Sequence, residues 1–187
     1  MLIEILAVLL FAKLKRFRIS LLFRSWTIYP VLIVQLFVIA CETSIFFHSN
    51  YFIRFAPITA PAVILSFCFA VVVYRLYKPA ILGSLSVVLG SSLNRFVIAQ
   101  NGGSMPVFPS LSYFTGYADP TLLGEADQLH ILGDGTVKYK FLTDYIDFGY
   151  SILSIGDVFI HFFFCIMLYS MIIAANNRFS YSEKIQA

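Results

Sequence analysis

The sequence carries little charge of either sign. Only 12% of its 187 residues are Asp, Glu, Lys or Arg, and the formal net charge is +3. So small a basic surplus does not indicate a protein that binds nucleic acid, and no nucleic-acid partner is expected. Hydrophobic residues make up 59% of the chain and the mean hydropathy is +0.84, beyond the usual range of soluble domains. The lipid bilayer is therefore the first predicted partner.

Cysteine and the common catalytic motifs are also scarce. The three cysteines, Cys41, Cys68 and Cys165, each lie in an apolar run, so neither a disulfide framework nor a zinc-binding spacing is available. The chain has no Ser nucleophile elbow, Walker loop, HExxH or CxxC pattern. No cofactor and no metal are predicted. A function other than catalysis is favoured over an enzyme.

Long apolar runs predict an all-α membrane protein, a single transmembrane domain over residues 1–187 with a bundle of about five transmembrane helices. The first run is short, because at 1.5 Å per residue it reaches roughly 18 Å against a hydrocarbon thickness of roughly 30 Å. Whether residues 1–12 cross the membrane fully stays open, as does the oligomeric state. The predicted helices are residues 1–12, 28–47, 52–74, 80–101 and 152–175.

The basic residues predict an orientation for these helices. Nine Lys and Arg residues fall on one side of the predicted membrane and three fall on the other. By the positive-inside rule the first side is cytoplasmic. The segment 102–151 is then an extracytoplasmic loop, and the C-terminal tail 176–187 is cytoplasmic. The apolar residues between Val137 and Tyr150 predict that this loop is held in place and is not a free linker.

The fourth predicted helix carries a face of small and polar residues. Such a face lets helices approach closely in lipid. Its members recur at offsets of 0, 3, 7 and 11, and they are Gly83, Ser86, Gly90 and Asn94.

A helix-stop motif follows the same helix. Asn101, Gly102 and Gly103 tolerate a left-handed backbone, which is a common way to end a helix, and Pro106 prevents the helix from resuming. Met105 completes the motif.

Two stretches resemble a known family. LNRFVIAQNGGSMPV and the later TDYIDFGYSILSIGDV resemble a family of small bacterial multi-pass membrane proteins of unknown function. That family carries an Asn-Gly-Gly-x-Met-Pro-Val motif after one helix and a Ser-Ile-Gly-Asp-Val motif that opens the last helix. Ser104 stands where the family commonly has a basic residue. The resemblance implies a bacterial inner-membrane protein and no particular activity.

An intramembrane polar cluster is predicted from ionisable residues inside the apolar runs. Such residues are costly in lipid, face protein or water, and are functional candidates by default. Counting residues from the helix ends places Glu42, Arg95 and Asp157 at one depth, and we expect Arg95 to pair with Asp157, with Glu42 as a candidate second partner. Asp157 and His161 lie four residues apart on one helical face, a spacing that fits a hydrogen bond better than a metal site. The full predicted cluster is Glu42, Asn94, Arg95, Asp157 and His161.

Two functions remain open. The first is a structural or accessory subunit that binds a membrane-protein partner or a larger complex through its small-residue face and its outer loop. The second is a small transporter or membrane enzyme that uses Glu42, Arg95, Asp157 and His161. The outer loop also contains His130, Asp134, Asp144 and Asp147, which fit either an oxygen-rich metal site or a solvated acidic loop. The solvated loop and the accessory subunit are the favoured readings.

Overall fold

The computed structural model describes residues 2–47, 55–118 and 129–186, with only the backbone for residues 45, 56, 57 and 180–186. The described chain is mostly helical. Its helices are α1 (Leu2–Leu14), α2 (Ile28–Phe46), α3 (Ala56–Ser66), α4 (Cys68–Tyr74), α5 (Tyr77–Gln100), α6 (Leu111–Thr115) and α7 (Ile155–Gln186). Short 3-10 helices span Ile19–Arg24 and Lys140–Leu142. The strands are β1 (Met105–Val107), β2 (His130–Leu132), β3 (Ile146–Asp147) and β4 (Ile152–Leu153).

The chain divides into two compact units. The first comprises Met1–Ile39, Pro57–Leu85 and His161–Ala187, and the second comprises Ala40–Ala56 and Ser86–Ile160. Four of the described helices, α2, α3, α5 and α7, contribute residues to both.

The core of the first unit is built on α7. Phe67 is fully buried, and the centre of its ring lies 5.7 Å from that of Phe164 and 5.9 Å from that of Phe163. Gly83 of α5 meets the same helix, because a Cβ at this position would stand 2.8 Å from Cδ2 of Phe163. Small side chains on α5 thus let large aromatic side chains of α7 approach its backbone.

The segment that joins α1 to α2 is tied to the far part of α7. The backbone N–H of Arg18 donates to Oδ1 of Asn176 at 2.8 Å, and Nδ2 of Asn176 donates to the carbonyl of Arg18 at 3.2 Å. The Asn176 side chain thereby pairs with both the N–H and the carbonyl of Arg18, which lies outside regular secondary structure.

The second unit contains a small cap built on the residues after α5. Here β1 pairs in parallel with β2, and Val107 also forms a bridge with Asp144 on its other side. A second pair, β3 and β4, is antiparallel and leads directly into α7. Met105, Pro106 and Val107 are all buried, so this cap has an apolar centre.

Several helix ends differ from the predicted ones. The apolar run predicted over 52–74 is interrupted, because α3 ends at Ser66 and α4 begins at Cys68. The Ser66 hydroxyl donates to the carbonyl of Val63 at 2.7 Å, a local bond that competes with helix continuation. The predicted start at residue 52 lies outside the described residues.

The last helix also differs from its prediction at both ends. Residues 152 and 153 belong to β4, so α7 begins at Ile155, and it continues through the predicted polar tail to Gln186. Hydropathy marks where the apolar run ends, whereas the helix continues because neither Gly nor Pro follows Gly156.

Within the described residues, two helices are long and apolar enough to cross a membrane. They are Tyr77–Gln100, with a mean hydropathy of 1.5, and the Ile155–Phe179 part of α7, with a mean hydropathy of 2.3. Two shorter apolar helical stretches span Ile28–Ser44 and Ile58–Tyr74.

Candidate functional site

The helix-stop motif ends α5 with a Schellman turn. Gly102 and Gly103 both have positive φ, at 71° and 90°. The N–H of Gly103 donates to the carbonyl of Ile98 at 2.9 Å, which is the bond that defines this turn. A side chain at either glycine would be strained by the backbone and not by crowding, because no atom lies within 4 Å of the added Cβ.

Asn101 clamps the end of α5 to the cap. Its Oδ1 accepts the N–H of Lys138 at 2.9 Å, and its Nδ2 donates to the carbonyl of Lys138 at 3.1 Å. The same Nδ2 also donates to the carbonyl of Val97 at 2.9 Å, which accepts the backbone N–H of Asn101 as well. The carboxamide therefore satisfies two separate segments at once.

Met105 and Pro106 place the motif in the centre of the cap. The N–H of Met105 donates to the carbonyl of Leu129 at 2.7 Å, and the carbonyl of Pro106 accepts the N–H of Asp144 at 3.1 Å. Pro106 has no N–H to lose, so it is tolerated between two partner segments.

The Ser-Ile-Gly-Asp stretch is a capping box for α7. The N–H of Asp157 donates to the Ser154 hydroxyl at 2.9 Å, and the N–H of Ser154 donates to Oδ2 of Asp157 at 2.9 Å. Two N–H groups at the helix start are thus satisfied reciprocally. The Ser-x-x-Asp pattern before an apolar run is the sequence signal for this box.

Asn94 joins the capping box to α5. Its Nδ2 donates to Oδ1 of Asp157 at 2.9 Å, and its Oδ1 lies 2.9 Å from the Ser154 hydroxyl. The helices touch here, because a Cβ added at Gly90 would collide with the carbonyl oxygen of Gly156 and one added at Gly156 would collide with Asn94. We call these five residues, Gly90, Asn94, Ser154, Gly156 and Asp157, the motif junction.

A comparison with family models places both motifs in one matched region. Residues 19–169 match a family of unknown function, DUF5317. The chain belongs to this family. Searches of curated proteins and of solved structures returned no match. The part that matches DUF5317 includes the helix-stop motif and the motif junction, and it excludes all of α1 and residues 170–186 of α7.

Arg95 does not form the predicted pair with Asp157. It is exposed, and within the described chain it makes no hydrogen bond or ion pair. Asn94, one residue earlier, forms the hydrogen bond to Asp157 instead. Neighbouring residues of a helix point about 100° apart and differ little in depth, so depth alone does not determine which of the two side chains faces Asp157.

His161 and Asp157 of the predicted cluster have different partners. His161 lies in the first unit, where its Nδ1 is 2.6 Å from Oε1 of Glu4 on α1. Both side chains are partly buried, at 24% and 18% exposure. Asp157 lies in the second unit and does not bond to His161, although the two are four residues apart. Glu42 is half-buried near the end of α2.

The acidic residues of the cap have opposite electrostatic environments. Burial raises the pKa of Asp144 to about 8, and the negative charge of Asp157 adds to the rise. Oδ2 of Asp144 lies 3.5 Å from Nε2 of His130, and its Oδ1 has no hydrogen-bond partner in the described chain. Asp144 is therefore largely neutral at pH 7.

Asp147 remains ionised. Burial alone would raise its pKa, but hydrogen bonds from Ser112, Ser110 and Gly149 outweigh burial and lower the pKa below its usual value. Its carboxylate accepts the N–H groups of Ser110 at 2.6 Å and Ser112 at 2.8 Å, at the start of α6. These bonds make it a structural carboxylate. Asp134 is similarly engaged within its own turn, accepting from the N–H of Thr136 at 2.8 Å.

An open cavity of about 240 Å³ lies beside the helix-stop motif in the second unit. Its wall includes Asn101, Gly102, Pro106, Asp134 and Lys138. Among the described residues no three His, Cys, Asp or Glu side chains are grouped to hold a metal ion.

Proposed function

We propose that the chain is a multi-pass inner-membrane protein with about five spanning segments, acting as a structural or accessory subunit that binds a membrane partner. The observation that carries the membrane part is the exposed apolar face of α5. Six large apolar side chains of this helix are 42% to 63% exposed. They are Ile81, Leu82, Leu85, Val88, Leu89 and Phe96.

The length and burial of α5 support a lipid environment. Its 24 residues extend over roughly 36 Å, enough to cross a bilayer. Only 17% of its apolar window is buried. Leaving a large apolar side chain in water costs about 1.5–3 kcal/mol relative to burial, so an aqueous α5 would carry a large penalty that lipid removes.

Other helices show the same pattern. Leu6, Leu10 and Leu14 of α1 are 58% to 71% exposed, and Ile33 and Leu36 of α2 are 66% and 67% exposed. Lipid contact along these helices supports a multi-pass arrangement. The distribution of Lys and Arg supports a cytoplasmic C-terminus and an extracytoplasmic cap.

The partner surface we propose is the outer face of α6 in the cap. Leu111 and Tyr113 are 48% and 41% exposed, and Phe114 is 89% exposed. The small-residue face of α5 is not this surface, because Gly83 and Gly90 already lie against α7. Aromatic side chains are enriched at protein interfaces, and Phe114 is the most exposed large apolar side chain of the described chain.

A second candidate function is a small transporter or membrane enzyme. The observation that favours it is the 2.6 Å pair of Glu4 and His161, an ionisable pair between two apolar helices. A role in transport predicts that Glu4→Gln and His161→Gln each abolish a flux or the retention of a small molecule. A role in helix docking predicts loss of stability alone.

The first experiment separates membrane insertion from peripheral binding. Membranes that contain the native protein are extracted with alkaline carbonate. We expect the protein to stay in the pellet, and its complete release would contradict the membrane proposal.

The second experiment tests the partner surface. The native protein is purified in mild detergent, and its stoichiometric companions are identified. We expect a membrane protein to co-purify with wild type and with Phe141→Ala, and to be lost with Phe114→Ala. Phe141 is a matched control because it is an exposed phenylalanine of the same cap, at 60%. A solitary protein with a bound small molecule would favour the second candidate function instead.

A further inference from the structure

The segment Val137–Leu142 lies against the last turns of α5. The clamp from Asn101 holds the backbone of Lys138 at the end of the helix. The next residue, Tyr139, places its ring centre 4.9 Å from that of Phe96. Phe96 stands four residues before Gln100, so the Tyr139 ring reaches roughly 6 Å back along the helix.

An unusual backbone conformation at Tyr139 lets its ring reach back along α5. Tyr139 has φ 53° and ψ 45°, in the left-handed region that a bulky residue rarely adopts. The conformation costs free energy and persists only when its surroundings hold it. Here the Asn101 clamp before it and the Phe96 ring beside it hold the turn, and the 3-10 helix Lys140–Leu142 follows.

Basic and aromatic side chains alternate along the segment, and they are exposed. Tyr139 and Phe141 are 46% and 60% exposed. Lys138 and Lys140 are exposed too, and neither forms an ion pair within the described chain. The Lys140 ammonium lies 4.1 Å from the centre of the Phe108 ring, so it is held on the cap surface. Ammonium groups beside exposed aromatic rings are the pattern of a headgroup-level membrane anchor.

We propose that Val137–Leu142 is an interfacial anchor that binds the phospholipid headgroup layer at the end of α5. Phe141 and Tyr139 enter the boundary with the acyl chains, and Lys138 and Lys140 contact lipid phosphates. The depth follows from Phe96, which belongs to the face of α5 that we assign to lipid. This inference rests on the proposed membrane location and names a second, lipid-binding surface in the cap.

The test uses tryptophan fluorescence of the full chain in liposomes of phosphatidylcholine and phosphatidylglycerol. Trp26, the single native tryptophan, is replaced by Phe. Phe141→Trp is compared with Leu132→Trp, a matched control on β2 of the same cap that is 49% exposed. Lipids brominated near the headgroup end of the acyl chain should quench Phe141→Trp about twofold more strongly than Leu132→Trp.

A second arm tests the phosphate contact. In the Phe141→Trp background, Lys138→Gln should reduce the dependence of quenching on phosphatidylglycerol content. Lys78→Gln, an exposed lysine in the first turn of α5, should leave that dependence unchanged.

The outcomes separate this inference from the proposed function. Equal quenching of the two tryptophan variants in a carbonate-resistant protein would overturn the anchor alone. A water-exposed, unquenched Phe141→Trp would also overturn it and would leave the segment free for a protein partner. Release of the protein by carbonate would overturn the membrane location itself.

Discussion

Asn94 and Asp157 form a contact in which each side chain depends on the other. Truncation of either leaves polar atoms unmatched in a partly buried site, at a cost of about 1–3 kcal/mol. We expect Asn94→Ala and Asp157→Ala each to destabilise the protein, and the double variant to cost less than the sum of the two.

The control for this double-mutant cycle is Arg95. Because Arg95 is exposed, Arg95→Ala should change stability by less than about 0.5 kcal/mol and should add to Asp157→Ala without coupling. Thermal unfolding in detergent measures all five variants. Coupling of Arg95, and not of Asn94, to Asp157 would contradict the observed arrangement.

Asp144 makes the stability of the cap depend on pH. Its pKa is about 8 in the folded chain and near 3.8 when unfolded, so the folded state holds the extra proton between these values. The stability that this proton uptake contributes is fully present below about pH 4, and it is lost as the pH rises toward and through about 8.

This dependence is measured against Asp144→Asn, which stays neutral at every pH. The unfolding temperature of wild type minus that of Asp144→Asn should decrease from pH 5 to pH 8. Each pKa unit corresponds to about 1.4 kcal/mol, so the effect is readily detected. A difference that does not change with pH would mean that Asp144 is ionised in the folded cap.

At the scale of whole elements, α5 and α7 meet where both lack side chains. Gly156 faces Asn94 and the carbonyl of Gly90, so Gly156→Ala should force the helices apart and destabilise by about 1–3 kcal/mol. Gly135→Ala is the control, because no atom lies within 4 Å of its added Cβ and its φ is not positive. Comparable unfolding temperatures for the two variants would contradict the close helix contact.

The sequence predicted these elements unevenly. The left-handed turn of Gly102 and Gly103 was predictable, because few other residues adopt that backbone. The paired strands were not, since two- and three-residue strands carry no periodicity and their partners lie far along the chain. The choice of Asn94 over Arg95 depended on helix rotation, which neighbouring residues alone do not determine.

At the scale of the whole molecule, the proposed orientation assigns the cap and the start of α5 to opposite sides of the membrane. Single cysteines are introduced in a background that lacks Cys41, Cys68 and Cys165, and intact cells are treated with an impermeant thiol reagent. Gly135→Cys, on the cap, should react, and Lys78→Cys, at the start of α5, should not. The reverse labelling pattern would invert the orientation.

The Asn101 clamp also governs how the protein ages. An Asn-Gly step is prone to deamidation, since glycine does not hinder attack of its backbone nitrogen on the Asn carboxamide. With Oδ1 and Nδ2 both held by Lys138, the carboxamide cannot turn to meet that nitrogen. Once Lys138 detaches, the backbone nitrogen of Gly102 can displace ammonia from the Asn101 carboxamide, and water then opens the resulting ring to leave an acidic side chain. The new carboxylate would face the carbonyls of Val97 and Lys138. The carboxylate could still accept the N–H of Lys138, but it could not donate to the carbonyl of Lys138, so one of the two bonds of the clamp would be permanently lost.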